Sequence, residues 1–153
     1  MNRLAPYTGG DGLVEEALAL WRQYTAVVHP EAVSRLAIRY INKLALPRED
    51  GDSLERFLLA PPIVPDGLPQ RVTDFMTRVV VVDSATRITT IVNQALSLSP
   101  GGPVPFILDL DVFKPETLPT DSAHIDRHLQ SLRIPAKQAF FGSLTEETVS
   151  LYA

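Results

Sequence analysis

Arg35, Arg39 and Lys43 recur every four residues in a stretch whose apolar residues alternate, which sets all three on one face of an extended strand. Asp109 and Asp111 do the same in the run Phe106-Ile107-Leu108-Asp109-Leu110-Asp111-Val112-Phe113. Same-face residues two apart lie about 7 Å apart along a strand. If the two strands are neighbours, the basic row faces the acidic row as a cross-strand ladder, each pair contributing about 0.2 to 1 kcal/mol. The functional alternative is a pocket in which Arg35 and Arg39 receive a small anionic ligand, because a guanidinium grips phosphate or carboxylate with two parallel hydrogen bonds. Arg35, Arg39, Lys43, Asp109 and Asp111 are therefore the candidate ligand-binding set. Asp109 and Asp111 could also share Mg²⁺ or Mn²⁺, but basic neighbours and the lack of further acids in that segment argue against a metal.

Other chemistry is weaker. His124 and His128 stand at the i, i+4 spacing by which two imidazoles face one metal, yet they lack the glutamate of the metalloprotease motif, and the remaining histidine, His29, is distant in sequence. Gly9-Gly10-Asp11-Gly12 precedes a helix and could hold an anion, but no strand leads into it and no P-loop lysine follows. No Gly-x-Ser-x-Gly elbow occurs. With no cysteine in the chain, disulfides, thiolate zinc sites and thiol nucleophiles are excluded. No cofactor and no catalytic residue is expected. Phe140, Phe141 and Tyr152 read as closing a core, with an exposed binding patch as the alternative.

The elements that must position these groups follow from periodicity. Leu13, Ala17, Leu20, Trp21, Tyr24 and Val28 predict a helix over 13–28, with Asp11 as N-cap and His29-Pro30 as its end. Period-two alternation predicts a strand over 33–46, with Leu36, Ile38, Tyr40, Leu44 and Leu46 facing the core. A polar turn at 48–52 and a short apolar helix or turn at 54–59 precede a proline-rich surface excursion at 61–69. Phe75 to Val82 and Arg87 to Leu98 predict two strands joined by Asp83-Ser84-Ala85-Thr86, and a connection at 99–103 leads into a third over 106–113. Asp121 caps a helix carrying Ile125, Leu129 and Leu132, which Pro135 breaks or kinks before a further piece ends near Gly142. Ser143-Leu144-Thr145-Glu146 reads as a capping box for a last helix bearing Val149 and Tyr152. The order predicts a single α+β domain over 1–153, a mostly antiparallel four-stranded sheet with helices packed on one face.

Several stretches resemble a sporadically distributed family of uncharacterised bacterial conserved hypothetical proteins: Arg3-Leu4-Ala5-Pro6-Tyr7-Thr8, the helix of Trp21, Arg35 to Lys43, Phe106 to Phe113, and Phe140-Phe141-Gly142-Ser143-Leu144-Thr145-Glu146. The resemblance implies that this chain corresponds to the C-terminal part of longer members, and that sheet edges covered there need another partner here. It brings no reaction, cofactor or catalytic residue.

Composition bounds the rest. The 14 basic and 18 acidic residues give no footprint for nucleic acid, which is not expected as a partner. No apolar run is long enough to span a bilayer and the N-terminus lacks a signal-peptide core, which predicts a cytoplasmic protein without a membrane partner. With no convergent catalytic set, the expectation is a non-enzymatic binding or assembly protein acting through a sheet edge or the charged face, by self-association as a homodimer or with a protein partner. The alternative is a binder of a small anionic ligand, or an enzyme, with a cleft between sheet and helices.

Overall fold

The computed structural model describes residues 10–47, 52–97 and 103–152. They form helix α1 (Gly10–Val28), strand β1 (Ala37–Leu46), a 3-10 turn (Leu54–Arg56), strands β2 (Asp74–Val82), β3 (Thr89–Ser97) and β4 (Val104–Phe113), and helices α2 (Ser122–Phe141) and α3 (Glu146–Ser150). The strands make one sheet in the order β1-β4-β3-β2, with every neighbouring pair antiparallel. Helix α2 lies on β4, β1 and β3, and α1 packs on α2. This is the α+β arrangement that the element order predicts.

Alternation explains the layering. β4 is central, and its helix-side residues Val104, Phe106, Leu108, Leu110 and Val112 are buried, as are Ile38, Leu44 and Leu46 from β1. Helix α2 meets them with Ile125, Leu129, Leu132 and Ala136, spaced as one helical face requires. The core has two lobes. One joins Leu44, Leu46, Phe106 and Leu108 to Phe57, Leu58 and Leu144; the other joins Ile38 and Val112 to the inner face of α2, where Val14, Leu18 and Trp21 of α1 close it. The segment after the 3-10 turn is pinned to the C-terminal region, since Leu58 bridges Leu144 and the buried hydroxyl of Thr148 donates to the Phe57 carbonyl at 2.9 Å.

Local readings shift where tertiary contacts decide. Helix α1 begins at Gly10, so Asp11 lies in the first turn and pairs with Arg133 of α2 rather than capping. Its inward face is Val14, Leu18 and Trp21, leaving Leu20, Tyr24 and Val28 of the expected stripe exposed. The Trp21 indole fixes that rotation by donating Nε1–H to the Thr120 carbonyl at 2.8 Å. His29 ends the helix in the left-handed region at φ 51°. β1 starts at Ala37, because Val33 makes only a lone bridge to Leu118, and Arg35 sits in the lead-in. Helix α2 is capped by Asp121, as expected, and continues past Pro135 to Phe141. The cap of α3 is Thr145, not Ser143: the Ser143 hydroxyl instead donates to the Ala139 carbonyl at 2.7 Å. The turn at 48–51, the connection at 99–102 and the N-terminal stretch before residue 10 lie outside the described residues.

Candidate functional site

The charged residues meet on the sheet face opposite the helices. Arg39 stands directly across from Asp111 in the register, yet its guanidinium reaches diagonally to Asp109, with Nε to Oδ1 at 2.8 Å and Nη2 to Oδ2 at 2.7 Å. Arg35 reaches Asp111 in the same diagonal sense, with Nη2 at 2.8 and 3.0 Å from the two oxygens, while its guanidinium lies 4.4 Å from the centre of the Phe113 ring. Diagonal partners lie within reach of long side chains on a twisted sheet. Lys43 stands opposite Ile107, exposed, with no ion pair to it among the described residues.

The row continues further than the two strands. Asn93 of β3, opposite Asp109, donates to its Oδ2 at 3.1 Å, and Arg78 of β2, opposite Asn93, donates to the Asn93 amide oxygen at 3.0 Å. Arg39, Asp109, Asn93 and Arg78 thus form a polar line across all four strands. Hydrogen bonds from Arg39 hold the Asp109 carboxyl below the usual carboxylate range against the opposing effect of its burial, and Asn93 adds to this. The same contact raises Arg39 above its ordinary value. The two carboxylates that a metal ion would need are already engaged by protein donors, while Lys43 on the same face has no ion pair among the described residues.

The histidines diverge. His124 turns to Asp121, with Nδ1 2.6 Å from Oδ2, and the backbone N–H of His124 holds that carboxyl below its usual range. His128 is buried, with Nδ1 3.2 Å from Glu116. Burial pushes its imidazole below the ordinary value, Glu116 opposes this and Lys114 adds to it. No group of three or more metal-ligating side chains occurs among the described residues. Phe140 packs against the core edge-on to Phe141, which is exposed, and the Tyr152 hydroxyl bonds the backbone of Ala45. No helix among the described residues is long and apolar enough to cross a membrane.

The sheet is only partly roofed. Between α2 and the helix side of β2 and β3 runs a cleft of about 370 Å³ lined by Val81, Thr90, Val92, Pro135, Gln138 and Gly142. A neighbouring hollow of about 320 Å³, sharing Val92 and Ser143 with it, adds Thr77, Val79, Gln94 and Pro61. Gln94 is buried and its side-chain oxygen has no hydrogen-bond partner among the described residues. These open hollows lie on the helix side of the sheet, whereas Arg35, Arg39, Asp109 and Asp111 are on the other side and do not line them.

β2 is the least covered strand. Val79, Val80, Val81 and Val82 are between 53% and 60% exposed and Met76 is 84% exposed, on both faces of the strand, and no described strand pairs with its outer side. Its backbone phase is set at the hairpin, where the Asp83 N–H donates to the Ile88 carbonyl at 3.0 Å. Antiparallel pairing alternates, so the backbone groups of Val82, Val80, Arg78, Met76 and Asp74 point away from β3. Sequence reasoning predicted this strand and a sheet edge as the binding surface but did not assign the edge to it, because an unbroken β-branched run does not tell a margin from a centre. The available signal was the same run's lack of alternation next to a hairpin, which fits a margin as well as a centre.

Comparison with protein-family models, with curated proteins and with solved structures gives no match to this chain.

Proposed function

We propose that this protein is a non-enzymatic assembly protein that binds a polypeptide partner by strand addition at the outer edge of β2. The observation that carries the reading is the exposure of Val79, Val80, Val81 and Val82 on a margin strand whose outward backbone groups have no pairing strand among the described residues. An added strand satisfies such groups with main-chain hydrogen bonds, and alternate side chains give selectivity. A long apolar edge left open is otherwise an aggregation hazard. The charged face contributes little to recognition in this reading, since its carboxylates are paired. Size-exclusion chromatography with light scattering, with and without Val80→Lys, tests it. Association that disappears in the variant while the circular dichroism spectrum stays native is expected. A strictly monomeric wild type that retains no partner from lysate would count against it.

A second reading rests on Gln94. Its buried oxygen, without a partner among the described residues, stands with Thr77 and Ser143 in the lining of a mainly apolar hollow, which suits a small molecule with a hydrogen-bond donor. Thermal-shift screening with neutral and anionic metabolites checks this, and Val92→Trp should abolish any shift by filling the space the two hollows share.

A further inference from the structure

We infer that the strand added at β2 is β2 of a second copy of this chain, running antiparallel about a two-fold axis at Met76. This rests on the strand-addition reading and supplies its partner. Asp74, Met76 and Arg78 alternate on the sheet face opposite the helices, and all three turn their backbone groups outward, by the phase that the Asp83 to Ile88 hydrogen bond sets. A strand with an acid and a base equally spaced about a central residue is complementary to its own antiparallel copy. Centred on Met76, Asp74 of each copy stands directly opposite Arg78 of the other, and Met76 opposes itself as a hydrogen-bonded pair.

The other registers about a two-fold lack this match. Centred on Arg78, the two guanidinium groups oppose each other, and like charges directly opposite are destabilising. Centred on Val79 or Val80, Arg78 faces a valine and Asp74 gains no opposing charge. Asp74 is exposed, with no ion pair to it among the described residues. Arg78 uses Nη1 on Asn93, and the other guanidinium nitrogens remain able to donate across the axis. The axis is perpendicular to the sheet, so both helical layers lie on the same side, and α2, seated over β4, β1 and β3, is removed from the junction. The two copies then pair through residues 74–78 of each β2 in one antiparallel sheet, a closed isologous contact, and Val79 to Val82 of each lie beside residues 70–73 of the other, which are not in a strand.

The test uses the full chain and its lack of cysteine. Asp74→Arg and Arg78→Asp should each weaken self-association by about tenfold or more in sedimentation velocity, since each single change sets like charges opposite each other twice. The double swap Asp74→Arg/Arg78→Asp should restore it. Because Arg78→Asp also brings a negative charge toward Asp109 and could unfold the chain, Met76→Cys gives an independent readout. Opposed residues of a hydrogen-bonded pair have Cα atoms about 5.5 Å apart, within disulfide reach. Mild oxidation should therefore yield a covalent dimer from Met76→Cys and none from Val82→Cys. Single variants that dimerise like wild type, a double swap as weak as the singles, or no cross-link at position 76 would each overturn the inference. A wild type that stays monomeric while its β2 edge still takes up an unrelated strand would overturn it and leave the strand-addition reading intact, whereas loss of both would remove the two together.

Discussion

The two margins of the sheet treat their outward backbone in opposite ways. On β1 the Tyr152 hydroxyl accepts from the Ala45 N–H at 2.6 Å and donates to the Ala45 carbonyl at 2.9 Å, so one side chain satisfies both groups of an edge residue. Arg39 and Lys43 put charge along the same margin, a device that discourages further pairing. On β2 the charges stop at Arg78, and an uninterrupted, exposed valine run follows that no side chain caps and no strand pairs among the described residues. Among the described residues, the same sheet is finished at one side and left open at the other. The difference teaches that the open margin is not a general property of a small sheet but a feature of one strand, and it is the strand farthest from the roof that α2 provides.

Substitutions on the covered and open parts should separate most widely. Leu110→Ala, in the fully buried row of β4, should cost about 2 to 5 kcal/mol in urea denaturation, whereas Val81→Ala, already exposed, should cost under about 1 kcal/mol. Comparable losses at the two sites would mean that β2 is packed after all. The polar line comes next. Asp109→Ala should cost about 1 to 2 kcal/mol, less than a dry ion pair would, because Arg39 is more than half exposed. Asp111→Ala, removing the more exposed of the two carboxylates, should cost less than Asp109→Ala by the same measurement.

Tyr152→Phe sharpens the comparison at the other margin. Losing the hydroxyl should cost about 0.5 to 1.5 kcal/mol and speed hydrogen exchange at the Ala45 amide, with no change at Val80. The smallest effect is a pH dependence. His128 has its folded pKa lowered by burial, so between that value and the reference of 6.5 the unfolded chain binds the additional proton. Its contribution is fully present above about pH 6.5 and is lost as pH falls through the folded value. The melting temperature should therefore drop from pH 7.5 to 5.5, and His128→Leu should flatten that slope.

Much of this architecture is legible in the residues. Alternation in β1 and β4 identifies the buried row correctly, since period two leaves little freedom once one face is apolar. The meeting of Arg35 and Arg39 with Asp109 and Asp111 follows from face and sign. Which arginine takes which carboxylate does not, because the diagonal depends on register and twist, and neither is written in one strand alone. The extension of the line to Asn93 and Arg78 was hidden for the same reason, being a property of three registers at once. Helix α1 misleads in rotation because apolar residues lie on both sides of Trp21, and contact with α2 selects between them. β2 misleads because local sequence does not encode whether a valine run receives a neighbour on its far side.

Hydrogen exchange at the outward amides of β2, followed as protein concentration rises, tests the central claim most directly. Slowing at Asp74, Met76 and Arg78 with concentration, while the Ala45 amide of β1 keeps its rate, is the predicted result. Exchange at those three positions that is fast and indifferent to concentration, with or without cell extract, would contradict it.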